Sequence, residues 1–174
     1  MDAMEQLYQQ VILDHARRPH GRGPLAADLP SATANAPHES CSGRSHQVNT
    51  TCGDEVTLQV DVDLTGPAPV VRQVSWEGSG CSISQASISV LTDLVTGADL
   101  AQVDRLTSTF RALLGTRGAG LGDEAADDLL GDATAFTGVG KFPARIKCAL
   151  LGWMALTDAL ILAGVAGPDR EIAR

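Results

Sequence analysis

The chain has 174 residues, of which 44% are hydrophobic and 20% charged, enough apolar material for one core, and global disorder is excluded. Thirteen basic against twenty-one acidic residues give a formal net charge of -8, which repels a phosphate backbone and anionic lipid alike. Three Phe, two Trp and one Tyr are too few for a base-stacking platform, so the core is expected from Ala, Leu, Val and Ile.

In chain order, Asp2 with Glu5 reads as a capping box that opens a helix over about residues 3–17, with Leu7, Val11 and Ile12 on its buried side. Arg17, Arg18 and Pro19 end it. Met1 to Gln10 carries Asp2 and Glu5 and no apolar run followed by a small-residue cleavage site, so no secretory signal is expected and a reducing cytoplasm is the expected compartment. From Gly21 to about Ser45 no period is visible, and Pro24, Pro30 and Pro37 punctuate a predicted long loop. A strand is predicted over about Ser45 to Thr51. Val56 to Asp63 alternates apolar and polar, and Val70 to Trp76 can pair with it across Gly66-Pro67 as an antiparallel hairpin.

Ser82 to Thr96 reads as a helix closed by Gly97. Asp99 with Gln102 caps another, with Leu100, Val103, Leu106, Phe110 and Leu113 on one stripe. Residues 115–140 form a glycine-punctuated, partly acidic insertion with one helical turn expected at Ala125 to Leu130. Pro143 suits the first turn of a last helix reaching about Ala163, with Ile146, Leu150, Trp153 and Leu160 at helical spacing. Cys148 to Gly167 is nearly apolar, but Asp158, Gly152 and Gly164 favour a buried core helix over a membrane span. Strands followed by helices predict an α+β fold in a single domain spanning 1–174, a small antiparallel sheet of about three strands packed against helices.

Four cysteines, at 41, 52, 81 and 148, are too scattered for a zinc finger or a Cys-x-x-Cys pair. Cys52 precedes Gly53 and Asp54, where side chains two apart project the same way and offer a thiol and a carboxylate together. Cys81 immediately precedes a helix, whose positive end favours a thiolate. Cys148 lies one turn after Arg145 and beside Lys147, and both cations are expected to favour its ionisation. Three thiolates and a carboxylate form a tetrahedral set for a borderline-soft ion, for which zinc is the expected metal. A turn-forming role is the alternative for Asp54, and an all-cysteine set with Cys41 is the competing geometry, although Cys41 falls in the unperiodic loop and reads as a free thiol.

The segments Leu7-Tyr8-Gln9-Gln10-Val11-Ile12-Leu13-Asp14-His15, Thr51-Cys52-Gly53-Asp54, Gly78-Ser79-Gly80-Cys81-Ser82-Ile83-Ser84 and Lys141 to Leu150, in this order, resemble the signatures of the SufU family, relatives of the IscU/NifU iron-sulfur scaffolds. Asp28 to His46, with Cys41, His38 and His46, looks like a family-atypical extension. IscU-type scaffolds carry His before the last cysteine, where this chain has Lys147, and the glycine-rich stretch between Cys81 and Cys148 resembles the SufU insertion.

The resemblance implies a SufE/NifU-like fold, zinc held by Cys52, Asp54, Cys81 and Cys148, and a site supported by Arg145. It implies that Cys52 accepts persulfide sulfur from a SufS-type cysteine desulfurase, a partner histidine taking its place on the metal, and that sulfur passes to downstream iron-sulfur scaffold proteins. The chain would then be a sulfurtransferase, or equally a sulfur-accepting co-substrate. Two rivals are an IscU-like scaffold that assembles a cluster on its cysteines and a zinc-stapled structural protein. Lys147 reads as a surface lysine, the acidic run Asp123 to Asp132 as a solvated face, His15 and His20 as loop or helix-end residues, and His38 and His46 as remote alternatives for metal binding.

Overall fold

The computed structural model of the chain describes residues 2–27 and 39–166. Helix α1 (Ala3–Arg17) opens on the expected capping box, Glu5 N–H donating to Asp2 Oδ1 at 2.8 Å and Asp2 N–H to Glu5 Oε2 at 3.3 Å. Its buried side differs from the expected stripe. Leu7 is 56% exposed, Val11 and Ile12 are half-buried, and the buried residue is His15. The helix is seated by polar contacts as well as apolar ones: His15 Nδ1 lies 2.7 Å from the Ser89 hydroxyl and Nε2 lies 3.3 Å from Asp132. Both ring nitrogens are therefore engaged, and His15 clasps α1 to two later elements.

Three antiparallel strands follow in the order β1 (Ser40–Asn49), β2 (Asp54–Asp63), β3 (Val70–Ser79). The β2–β3 hairpin is the one expected from alternation, and Val56, Leu58, Val60 and Val62 are fully buried. Strand β1 begins five residues earlier than the sequence suggests, and the predicted loop ends at Glu39. Residues 40–46 are therefore sheet and not loop, and Cys41 is a buried strand residue, not a loop thiol. Residues 28–38, including His38, lie outside the described residues.

The reason is the face that β1 turns to the last helix. Cys41, Gly43, Ser45, Gln47 and Asn49 alternate inward, small or polar where a strand usually shows Val or Ile. Small residues let a helix come close: a Cβ on Gly43 would run into the Ala159 carbonyl. Ser45 donates to Asp158 at 2.6 Å, which satisfies the carboxylate in the middle of that helix.

Helices α2 (Ser82–Val95), α3 (Leu100–Gly115), α4 (Glu124–Leu130) and α5 (Pro143–Leu162) complete the chain, with a 3-10 stretch at Gly131–Lys141. Asp99 caps α3 by accepting from Gln102 N–H at 2.8 Å, and its five expected stripe residues are buried. Residues 115–140 are more structured than their glycines suggest. The 3-10 stretch buries Ala133, Ala135, Phe136 and Val139, and Phe136 meets Phe110 edge-on at 5.6 Å, which itself stacks on Trp153 at 4.7 Å. Helix α5 lies across β1 and β2, α2 packs against β3 and α5, α3 and the 3-10 stretch pack against those two helices, and α1 packs against α2 and the 3-10 stretch. The fold is α+β, as expected. Among the described residues no helix is long and apolar enough to cross a membrane.

Candidate metal centre

The hairpin between β1 and β2 closes on the pair Asn49 and Asp54, leaving residues 50–53 as its loop. The Asn49 carbonyl accepts from Cys52 N–H at 3.3 Å and Gly53 N–H at 2.8 Å, and its Oδ1 accepts from Thr51 N–H at 3.1 Å. Gly53 takes φ +77°, the left-handed conformation that a side chain resists, and so turns the loop back into β2. Cys52 is thereby exposed on the loop, while Asp54, first in β2, is buried. Cys81 occupies the N-cap of α2, directly after β3, and is exposed. Cys148 is buried in the second turn of α5.

Three of the four expected residues converge. Ligand atoms of Cys52, Asp54 and Cys148 lie within 4.8 Å of one another, and the Cys52 and Cys148 sulfurs are 3.3 Å apart without a disulfide. The Cys81 sulfur stands outside that group, but its residue joins the site through the main chain: Cys81 N–H donates to Asp54 Oδ1 at 3.1 Å. Ser84 donates to the Cys81 carbonyl at 3.0 Å, with its hydroxyl 3.8 Å from the Cys81 sulfur. All four cysteines are free thiols.

The electrostatics favour a cation at this point. Burial by itself would raise the Asp54 pKa, but polar hydrogens facing it from Cys52, Cys148, the Cys81 main chain and Ser84 outweigh burial and hold the carboxyl below its ordinary range. Among the described residues, Asp54 Oδ2 is a buried oxygen with no hydrogen-bond partner. Such an orphan is costly unless something positive meets it. Cys148 differs from expectation. Burial pushes its thiol up, and neighbouring Cys52, Asp54 and Cys81 push the same way, the opposite direction from that expected of Arg145 and Lys147. Arg145 lies with its guanidinium 4.7 Å from the Phe142 ring centre, lining a groove shared with Tyr8, Ile12 and Ile83. Lys147 is exposed and reaches the Thr51 hydroxyl at 3.5 Å. Two soft sulfurs and an unpartnered hard oxygen in one buried-to-exposed corner suit a borderline-soft divalent ion, which would supply the positive charge that Arg145 and Lys147 do not.

Other expected residues fall elsewhere. Cys41 packs in the core, and burial with the Asp61 charge nearby raises its thiol pKa. His46 is exposed and hydrogen-bonded to Thr57 at 2.8 Å. His20 pairs with Asp93 at 2.6 Å; together with His15 these form a second group of potential ligands, but one whose members are already bonded to one another or to Ser89 and Asp132. Sequence reasoning overlooked Asn49 and Ser84, the two polar residues that touch the cysteines. Ser84, three residues after an N-cap cysteine, was legible as a first-turn residue aimed back at it; Asn49 carried no comparable signal.

The family described as "NifU-like N terminal domain" matches residues 7–149, and the chain belongs to that family. Within it, the chain is 36% identical over 154 residues to the "Zinc-dependent sulfurtransferase SufU" of Bacillus subtilis (strain 168), covering 88% of each chain. It is 32% identical over 160 residues to the "Iron-sulfur cluster assembly scaffold protein IscU" of Streptococcus pyogenes serotype M1, covering 92% of this chain and 86% of that one. A crystal structure from Fervidobacterium islandicum AW-1, described as a candidate iron-sulfur cluster assembly scaffold protein for the SUF system, superposes with a TM-score of 0.60 at 28% identity, covering 90% of this chain and 98% of that one. The resemblance to SufU and its IscU/NifU-like relatives is borne out.

Proposed function

We propose that this chain is a cytoplasmic, zinc-dependent sulfurtransferase of iron-sulfur cluster assembly. In this reading it is a single domain that takes persulfide sulfur from a SufS-type cysteine desulfurase onto Cys52 and passes it to downstream scaffold proteins. The observation that carries the reading is the convergence of Cys52, Asp54 and Cys148 around a buried carboxylate oxygen that lacks a partner. The SufU and IscU names of the relatives support the pathway, and the SufU name supports the metal.

Cys52, Asp54 and Cys148 would hold the zinc, with Cys81, at the N-cap of α2, as the fourth residue that would complete the set. Zinc, when bound, keeps the thiols deprotonated at neutral pH and draws the three ligand-bearing elements together. Cys52 is the acceptor because the loop exposes it, whereas Cys148 is buried and out of reach of a docked partner. In the transfer, the Cys52 thiolate attacks the terminal sulfur of the partner's persulfide. A new S–S bond forms at Cys52, the old one breaks, and the partner's cysteine leaves as a thiolate, so no external oxidant or reductant is needed. Arg145, with its guanidinium on the Phe142 ring, is not given the supporting role at the metal that the resemblance implies.

Purified protein is expected to contain about one zinc per chain by elemental analysis, and the loaded protein is expected to accelerate sulfide production by its partner desulfurase. Cys52→Ser abolishes that stimulation. A chelated sample that relays sulfur as well as the untreated one overturns the reading. The second reading, a cluster scaffold, has the name of the Streptococcus relative in its favour. Anaerobic reconstitution separates the two: stable iron-sulfur absorption and cluster donation support the scaffold, and their absence with retained zinc supports the sulfurtransferase.

A further inference from the structure

Two sulfurs only 3.3 Å apart pose a problem for the function proposed above, on which this inference rests: one has to be released to accept sulfur while the other keeps its place. Burial distinguishes them in part. The hydrogen bonds around them distinguish them further, and those bonds converge on Asn49, an 8% exposed residue at the end of β1.

Asn49 contacts both sulfur-bearing elements with different atoms. Its Nδ2 donates to the Cys148 sulfur at 3.6 Å. Its Oδ1 accepts from Thr51 N–H, and its main-chain carbonyl accepts from Cys52 and Gly53 N–H, which together shape the loop that presents Cys52. In register it is opposite Asp54. The donor side of the amide thus holds the Cys148 sulfur, and the acceptor side holds the loop but gives the Cys52 sulfur nothing. An N–H bonded to a metal-bound thiolate draws off part of its charge, fixes its direction and makes it a poorer nucleophile.

We propose that Asn49 is a positioning residue of the metal centre, which anchors Cys148 as the permanent sulfur ligand through its Nδ2–H and leaves Cys52 as the releasable one. The role belongs to the side-chain N–H specifically, which makes it separable from the turn that Asn49 also caps.

The test compares Asn49→Ser with Asn49→Ala in the full chain. A serine hydroxyl can still accept from the N–H two residues on, so Asn49→Ser retains the turn but is too short to reach the Cys148 sulfur; Asn49→Ala loses both contacts. Zinc affinity is read by competition with a chromophoric chelator, and sulfur donation is read from the thiolate-to-metal charge-transfer band of the cobalt(II)-loaded protein. We expect Asn49→Ser to bind zinc about 10- to 100-fold more weakly, with the band at lower energy and the melting temperature of the metal-free protein unchanged. Asn49→Ala gives the same band shift. The band reports the sulfur directly, so a variant that folds less well still gives a reading. Parent-like affinity and band position in Asn49→Ser overturn the proposal while leaving the zinc reading intact. A parent chain that binds neither zinc nor cobalt overturns both.

Discussion

Cys52 and Cys148 bring their sulfurs to the same point from very different settings. Cys52 rides on a four-residue hairpin loop, exposed, with its position set by main-chain hydrogen bonds and one glycine. Cys148 is built into the second turn of a twenty-residue helix whose inner face is the core of the molecule. The difference teaches how a site can be both firm and responsive. The helix fixes one sulfur by packing, and the loop offers the other to solvent at little cost to the fold.

The largest expected effect comes from taking away what joins the two regions. If zinc binds only the folded chain, free zinc at about a thousand times its dissociation constant contributes about 4 kcal/mol, on the order of 10 °C in melting temperature for a protein of this size. Calorimetry of chelated and zinc-loaded samples checks this, and coincident melts would mean that loop and helix are not bridged by metal. A smaller effect separates the two sulfurs. In the metal-free protein, Cys148→Ala is expected to cost about 1–2 kcal/mol because a buried group is deleted, whereas Cys52→Ala stays within about 0.5 kcal/mol. Urea unfolding of the pair measures the contrast directly, and equal losses would abolish it.

The smallest effect lies at the far end of β2 and acts as a control. The Thr65 hydroxyl and N–H bond the Asp63 carboxylate, and together with Arg72 they hold its pKa below the usual value. A depressed carboxyl contributes stability above its unfolded pKa and loses it as pH falls through the folded one. Asp63→Asn should therefore narrow the stability gap between neutral and strongly acidic solution slightly, as followed by urea midpoints across pH. Zinc content should not change, since the site is at the opposite end of the strand.

The legible parts of the fold were those with a strong apolar period. Strand β2 alternates without a break, α3 carries a stripe from Leu100 to Leu113, and α5 begins at a proline and continues through Ile146, Leu150 and Trp153. Strand β1 hid because its inward residues are Cys41, Gly43, Ser45, Gln47 and Asn49, chosen for closeness to α5 and polar contact with it, and no hydropathy pattern records that. The 3-10 stretch hid behind Gly131, Gly138 and Gly140, although Phe136 belongs to the aromatic cluster. At the candidate site, the proximity of Cys52 and Asp54 followed from a two-residue spacing, and the place of Cys81 at a helix start was legible, although its sulfur stands outside the group formed by Cys52, Asp54 and Cys148. The direction of the Cys148 shift is not legible from sequence because neighbours in sequence are not neighbours in space: Arg145 turns to Phe142 and Lys147 to Thr51, while burial acts on the thiol.

The contact between Gly43 and Ala159 has a mechanical consequence. Helix α5 is one unbroken rod, pressed onto the sheet by bare backbone at one end and bearing Cys148 near the other, about 16 Å away. Bulk introduced at position 43 would work as a wedge under that rod, and the displacement would be felt at the sulfur. A change remote from Cys52, Asp54 and Cys148 can therefore detune the candidate site by leverage alone.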